Sequence, residues 1–170
     1  METPTGQESL QIWVKTDQVA GPTLTITSHQ MKRRPDGTGD PNHAMNKHSL
    51  DIPVLFAKDI ADILSEMTDM KLGPLSAEGL TDPPQVWARD IRESPHVTIT
   101  ITIVSHTRYG VRYRDVKIAR KGSDERSARV NIPWIHLGRT SKFYAAMARE
   151  LQRQHRNFIK ASVAANGLVI

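Results

Sequence analysis

The chain has 170 residues, of which 38% are hydrophobic and 24% charged. This size fits one compact domain or two small units that share a core, and the composition excludes wholesale disorder. No apolar run approaches the roughly 20 residues that a membrane span requires, and the N-terminus lacks the features of a signal peptide. The absence of Cys excludes disulfides and Cys-based zinc sites. We therefore expect a cytoplasmic protein, and a prokaryotic or a viral origin would fit this expectation.

Charge is distributed unevenly along the chain, whose formal net charge is +5. Residues 11–74 carry 7 basic and 8 acidic side chains, whereas residues 85–157 carry 15 basic and 6 acidic ones. The first half is therefore close to neutral and the second half strongly cationic. This asymmetry indicates an anionic partner for the second half.

The first half is predicted to contain strands followed by one helix. Residues 11–15 end at a Gly-Pro turn signal, and residues 23–30 alternate Thr with apolar residues, a pattern typical of a half-buried strand. Residues 34–41 are rich in Pro, Gly and Asp and are expected to form an exposed loop. An amphipathic helix follows, with an apolar stripe formed by Phe56, Ile60, Ile63, Leu64 and Met67.

The second half repeats this plan after a Pro- and Gly-rich segment. From Val97 to Ile103 the apolar and Thr residues alternate strictly, which predicts a strand with one face in the core. Residues 111–120 and 128–134 are predicted as two further strands. A second amphipathic helix begins near Thr140 and ends before the Asn-Gly pair at residues 166–167.

Three short blocks of the first half return in the same order in the second half. We interpret them as a tandem duplication of a β-β-β(-β)-α unit. Such a unit leaves part of its sheet uncovered, so we expect an α+β fold in which two antiparallel sheets, with one helix each, pack as an intramolecular pseudo-dimer. The predicted segments are a flexible N-terminus 1–10, repeat 1 at 11–72, a linker 73–84, repeat 2 at 85–160 and a C-terminal tail 161–170. The paired blocks are 11–15 with 85–89, 25–29 with 102–106, and 51–55 with 131–135.

The clearest candidate binding segment lies in the second half, where residues 108–114 interleave arginines with tyrosines. Arg112 and Arg114 share one strand face, and Tyr113 occupies the other. Guanidinium groups neutralise phosphates, and a tyrosine ring stacked on a base contributes roughly 1–3 kcal/mol. A solvated sheet face with ordinary strand tyrosines is the alternative interpretation. The nucleic-acid-binding candidates of this hairpin are Arg108, Tyr109, Arg112, Tyr113, Arg114, Lys117, Arg120, Lys121 and Arg129.

Two further basic segments are candidates. On the second helix Lys142, Arg149, Arg153, Arg156 and Lys160 fall within about 60° of arc, which predicts a continuous basic ridge. The corresponding helix of the first unit is acidic, which favours a binding copy and a supporting copy, although charge runs often only face water. A small cluster precedes the exposed loop of the first unit. The candidates that these segments add are Arg149, Arg153, Arg156, Lys32, Arg33 and Arg34.

Motifs for catalysis are missing from the sequence: it has no phosphate-binding Gly-Lys-Ser/Thr loop, no nucleophile elbow and no dinucleotide-binding glycine pattern. His43 and His48 lie near Asp40 and Asp51, but zinc needs three or four converging ligands and this spacing does not supply them. We expect no enzyme activity, no metal and no cofactor.

The tandem strand-rich unit that ends in a helix, with its cationic sheet, resembles the superfamily of Whirly, PUR-repeat and positive-cofactor-type single-strand binders. The resemblance covers most of residues 11–157 and concerns topology and charge. In those families strand-and-helix repeats pair into a two-fold unit whose sheets hold single-stranded nucleic acid. The resemblance therefore implies a pseudo-dimer and a single-stranded nucleic-acid partner. It assigns no role to an individual residue.

The sequence as a whole favours a non-enzymatic nucleic-acid-binding protein that holds single-stranded DNA or RNA through repeat 2. A duplex-DNA-binding transcriptional regulator, with the basic helix lying in a groove or along the backbone, is one alternative. A viral or structural adaptor that binds an acidic protein partner is another. Single-stranded nucleic acid is favoured over duplex, no membrane partner is expected, and association with a second copy of the chain stays open.

Overall fold

The fold is α+β, with two antiparallel sheets and two long helices. The computed structural model describes residues 8–33, 39–72, 85–108, 111–122 and 128–165. The first unit consists of β1 (Glu8–Asp17), β2 (Gly21–Arg33), β3 (Gly39–Ile52) and α1 (Val54–Thr68). The second consists of β4 (Gln85–Ser94), β5 (Val97–Arg108), β6 (Val111–Gly122), β7 (Ala128–Pro133), a 3-10 helix (Trp134–His136) and α2 (Leu137–Ala165).

The strand order in each sheet follows the chain. The first sheet has the order β1-β2-β3 and the second the order β4-β5-β6-β7, and every neighbouring pair is antiparallel. The predicted arrangement of two antiparallel sheets with one helix each is thus confirmed. β1 begins at Glu8, before the predicted start of repeat 1, and α2 continues to Ala165, past the predicted end of repeat 2. The predicted linker 73–84 lies outside the described residues.

Both sheets bury one face in a common hydrophobic core. Alternate residues along each strand point to that face, which we call the core face, and the opposite side is the outer face. Because the two sheets share this core with both helices, the units are packed together as the pseudo-dimer interpretation requires. The core-face residues of the first sheet are Leu10, Ile12, Leu24, Ile26, Leu50 and Ile52, and those of the second are Ile99, Ile101, Ile103, Val116, Ile118, Val130 and Ile132.

Each helix reaches the other unit. α2, from the second unit, contacts β1 and β2 of the first sheet as well as α1. The Thr16 hydroxyl donates a hydrogen bond to Oε1 of Gln154 at 2.9 Å, and Gly21 lies beside the ring of Phe158. Glu66 of α1 faces Arg89 of β4, with 3.7 Å between Oε1 and Nη2. The sheets meet where β3 contacts β7.

Two of the three repeated blocks occupy equivalent structural positions. Ile26 and Ile103 are both fully buried on the central strands of their sheets. Ile52 and Ile132 are both fully buried at the end of a strand. Each is followed by a proline and then by a helix. These blocks therefore support the alignment of the two units at the second strand and at the strand-to-helix exit.

The first repeated block differs in register. Trp13 pairs with Thr25, whereas Trp87 pairs with Ile103, the residue equivalent to Ile26. A register shift between Gln85 and Trp87 accompanies this displacement. Because side chains alternate between faces, a one-residue slip exchanges the two faces of a strand. The two tryptophan positions are therefore not structurally equivalent, despite the similar sequence around them.

Candidate nucleic-acid interface

The outer face of the second sheet is a polar surface built on a row of threonines. Thr98, Thr100 and Thr102 alternate with the buried isoleucines of β5, so they point away from the core. On β6 Lys121 lies opposite Thr98, and Lys117 lies opposite Thr102. The strict alternation of β5, which the sequence already shows, therefore places two lysines beside the threonine row.

A third cation completes a cluster on this face. Arg129 of β7 lies opposite Ala119, which is midway between Lys117 and Lys121 along β6. Diagonal neighbours on adjacent antiparallel strands are roughly 7–8 Å apart, so Arg129 can lie close to both lysines. Lys121 and Arg129 are exposed and Lys117 is half-buried. We call Lys117, Lys121 and Arg129 the outer-face cations.

Acidic residues are fewer on this face. Within the described part of the second sheet, its outer face carries two acids, Asp90 and Asp115. Asp115 is only 3% exposed, so its carboxylate hardly reaches the surface. Arg92 of β4 lies opposite Thr98 and is exposed, which adds a fourth cation to the same face. The exposed charge of the face is therefore predominantly positive.

Tyr113 lies on the outer face near the end of the β5–β6 hairpin. It pairs with His106 and is half-buried. Its position two residues before Asp115 places it on the same side of β6 as the outer-face cations. The sequence prediction that Tyr113 and the neighbouring arginines occupy opposite faces agrees with this register.

Arg112 and Arg114 lie on the side of β6 that carries Val116, away from the outer-face cations. The Cζ atom of Arg114 is 6.0 Å from the ring centroid of Trp134, a distance at which a guanidinium is attracted to the ring face. The Nε atom of Arg112 is shielded from solvent. Both side chains are half-buried, and Arg114 packs against Trp134.

Arg120 also lies on the side of β6 that faces the core. Its Nη2 donates to Oε1 of Glu93 at 3.0 Å, and its Nε donates to Oε2 of the same carboxylate. This bidentate hydrogen bonding raises the pKa of Arg120 above its ordinary value. The Glu93 side chain is only 7% exposed. The charge of Arg120 therefore compensates a nearly buried carboxylate.

The basic ridge of α2 faces solvent along its whole predicted length, since all five of its residues are exposed. Arg153 is paired within the helix, because its Nε donates to Oε2 of Glu150 at 2.9 Å. This bond and a second one from Gln154 lower the pKa of Glu150 to about 2. Lys142, Arg149, Arg156 and Lys160 make up the rest of the ridge.

Several predicted site residues lie wholly or partly outside the described structure. Tyr109 and Arg34 lie outside the described residues. Arg108 belongs to β5, and Lys32 and Arg33 belong to β2, but their side chains are outside the described set. The structure thus brings together Lys117, Lys121, Arg129 and Tyr113 on one sheet face, and it separates them from Arg112, Arg114, Arg120 and the α2 ridge.

Sequence reasoning missed Arg92. The repeated block 85–89, which is paired with the predicted strand 11–15, ends at Arg89, whereas β4 continues to Ser94. The sequence does contain a pattern that predicts the longer strand. Asp90 and Arg92 are polar and lie on either side of the apolar Ile91, which is the alternation of a strand. A longer strand with this alternation would have put Arg92 on a solvent-facing surface.

Among the residues that the structure describes, no three His, Asp or Glu side chains are grouped as a metal site would require. No helix in the described ranges combines the length and apolar character needed to cross a membrane.

No protein-family model matches this sequence, and no curated protein is similar to it. The solved structures that are similar to the fold include the following three. WHY3 from Arabidopsis thaliana is 10% identical over 97% of this chain and 94% of its own, with a TM-score of 0.39. WHY1 from Arabidopsis thaliana is 6% identical over 88% and 87%, with a TM-score of 0.38. The plant transcriptional regulator PBF-2 is 9% identical over 94% and 82%, with a TM-score of 0.35.

WHY1, WHY3 and PBF-2 are Whirly proteins.

Proposed function

We propose that this protein binds single-stranded nucleic acid, DNA or RNA, on the outer face of the second sheet. The observation that carries the proposal is the clustering of Lys117, Lys121 and Arg129 on adjacent strands of an exposed sheet face. The opposite face of the same strands is closed by the core, whereas Lys121 and Arg129 are exposed on the outer face. The protein is proposed to act by binding alone, without catalysis.

The phosphate backbone supplies most of the affinity in this proposal. The outer-face cations alternate between β6 and β7, with Arg129 placed between Lys117 and Lys121, so successive phosphates of an extended strand can each meet one cation. Tyr113 lies farther along the same face and offers a ring for base stacking. Backbone contacts dominate this arrangement, so binding is expected to depend strongly on salt and weakly on base sequence.

Arg112, Arg114 and Arg120 are less suited to this role than their charges alone suggest. Arg114 packs over Trp134, and Arg120 is held by Glu93. If either guanidinium bound a phosphate instead, its present interaction with Trp134 or with Glu93 would be lost. A charge reversal at these residues would therefore disturb the fold as well as any binding site.

Fluorescence anisotropy tests the proposal with labelled single-stranded DNA, single-stranded RNA and duplex DNA of about 30 nucleotides, which is longer than one sheet can cover. The variant Lys117→Glu, Lys121→Glu reverses two charges on the outer face. The matched control Arg149→Glu, Arg156→Glu reverses two exposed charges on α2. We expect the sheet variant to lose single-strand binding and the helix variant to keep it, with circular dichroism showing that both stay folded.

A second candidate is duplex binding through the α2 ridge, which the exposure of all five ridge residues favours. In that case duplex DNA would bind more tightly than single strands, and the helix variant would lose binding while the sheet variant kept it.

A third candidate function is binding of an acidic protein partner. In that case heparin and polyglutamate would compete for the basic surface as well as nucleic acid does. Absence of binding to every oligonucleotide at about 100 mM salt would contradict the nucleic-acid proposal.

A further inference from the structure

A groove between β1 and the start of α2 lies on elements that the proposed nucleic-acid face does not use. It has a volume of about 380 Å3 and is open to solvent along one side. This volume falls within the roughly 300–1,000 Å3 that small-molecule sites occupy. The groove is lined by Leu10, Gln11, Ile12, Arg139, Thr140 and Phe143.

The walls of the groove are mainly apolar. Leu10 and Ile12 are core-face residues of β1, and each is 8% exposed where it borders the groove. Phe143 of α2 is 50% exposed, which is unusual for a ring of this size. Covering apolar surface is favourable by about 25 cal/mol per Å2, so the groove offers binding energy to an apolar ligand.

Arg139 is the one charged residue among those that line the groove, and it is exposed. No carboxylate is included in the described lining that could neutralise it there. A guanidinium binds a carboxylate through two parallel hydrogen bonds, which gives direction as well as strength. The groove therefore combines apolar walls with one positive charge.

We propose that this groove binds amphipathic carboxylates, namely an aliphatic or aromatic body that carries a single acid group. The apolar body would lie against Ile12 and Phe143, and the carboxylate would accept hydrogen bonds from Arg139. The proposal is independent of nucleic-acid binding, because none of the outer-face cations borders the groove.

Titration with decanoate, compared with decanol, tests the inference. Isothermal calorimetry gives the affinity, and amide chemical shifts of 15N-labelled protein give the site. Decanoate is expected to shift the amides of Gln11, Ile12 and Phe143. Arg139→Gln should weaken the affinity for decanoate about tenfold, because one charge-assisted hydrogen-bonded pair is lost. The affinity for decanol should not change.

Lys142→Gln is the matched control, since Lys142 is an exposed cation of the same helix turn that does not line the groove. It should leave both affinities unchanged. Phe143→Ala should weaken the binding of both ligands. The fold should persist in this variant, because the Phe143 ring is half-exposed. Equal affinity for decanoate in the wild type and in Arg139→Gln would overturn the proposal, as would no shift at these amides at about 1 mM ligand.

Discussion

The hydroxyl of Tyr144 donates a hydrogen bond to the backbone carbonyl oxygen of Ala57 at 3.0 Å. Tyr144 belongs to α2 and Ala57 to α1, so the bond joins the helices of the two units inside the shared core. Tyr144 is fully buried, and this burial raises its pKa far above the ordinary value of a tyrosine.

The free energy of unfolding should therefore decrease at alkaline pH because of Tyr144. In the unfolded chain this tyrosine ionises with a pKa of about 10, whereas in the folded protein it keeps its proton. Above that pH the unfolded state binds fewer protons, so the free energy of unfolding decreases by about 1.4 kcal/mol per pH unit from this group. Below it the contribution is fully present.

Urea unfolding of the wild type and of Tyr144→Phe, between about pH 8 and pH 11, measures this effect. Near pH 8 the variant should be about 1 kcal/mol less stable, because the carbonyl of Ala57 loses a partner. The wild type should approach the variant as the pH rises. Parallel pH profiles for the two proteins would show that Tyr144 does not carry the alkaline loss.

Gly21 is required by both its backbone and its surroundings. Its φ is +86°, and an added Cβ would lie 3.0 Å from Cδ1 and Cε1 of Phe158. The preceding turn is held by Asp17, whose Oδ1 accepts the backbone N–H groups of Val19 and Ala20 at 2.7 and 2.8 Å. Gly21→Ala should destabilise the protein by about 1–3 kcal/mol through backbone strain and the contact with the ring.

Gly138 provides the matched control for Gly21, because a Cβ there meets nothing within 4 Å and the residue lies in α2. Gly138→Ala should stabilise the protein by up to about 1 kcal/mol, since alanine favours the helix. Thermal unfolding compares the two variants, and a neutral Gly21→Ala would argue against a tight approach of α2 to the β1–β2 turn.

Arg120 should contribute to stability and not to nucleic-acid binding. Arg120→Met leaves the carboxylate of Glu93 nearly buried without its partner, which should cost about 2 kcal/mol after allowing for the partial exposure of Arg120. The double variant Arg120→Met, Glu93→Gln should recover part of this loss. A double-mutant cycle in urea gives the coupling, and additive losses would mean that the pair is not coupled in solution.

The salt dependence of single-strand binding should report the outer-face cations. For single strands the slope of log K against log salt is about −0.7 per phosphate contact, so neutralising Lys117, Lys121 and Arg129 together should reduce its magnitude by about 2. Arg120→Met serves as the comparison and should leave the slope unchanged. Anisotropy titrations across a salt series measure the slope for both variants. An unchanged slope in the triple variant would mean that nucleic acid does not bind at the outer-face cations.

Local patterns in the sequence were sufficient for much of the fold. The alternation of Thr and Ile from Val97 to Ile103 predicted a strand with one buried face, and all three isoleucines are buried. The spacing of cations on α2 predicted a solvent-facing ridge, and Lys142 and Arg149 are exposed in it. Both features depend on the geometry of a single strand or helix, which residue periodicity describes directly.

The candidate site was less accessible to sequence reasoning. Periodicity places Arg112, Arg114 and Val116 on one face of the strand and Lys117 on the other, but it did not show that the face carrying Val116 is the one turned to the core. It also did not show that Arg120 is committed to Glu93, since the two residues are far apart in sequence and meet only across the strands.

The sequence by itself determined the two helices, the alternation of side chains along the strands at 23–30 and 97–103, and where the positive charge lies along the chain. These properties follow from short-range geometry and composition. The tertiary structure decided which cations share a surface, that Trp13 and Trp87 differ in register, and that α2 lies against the first sheet. Those outcomes depend on pairing and burial between distant segments, whose free energy is set by the complete core and not by any local pattern.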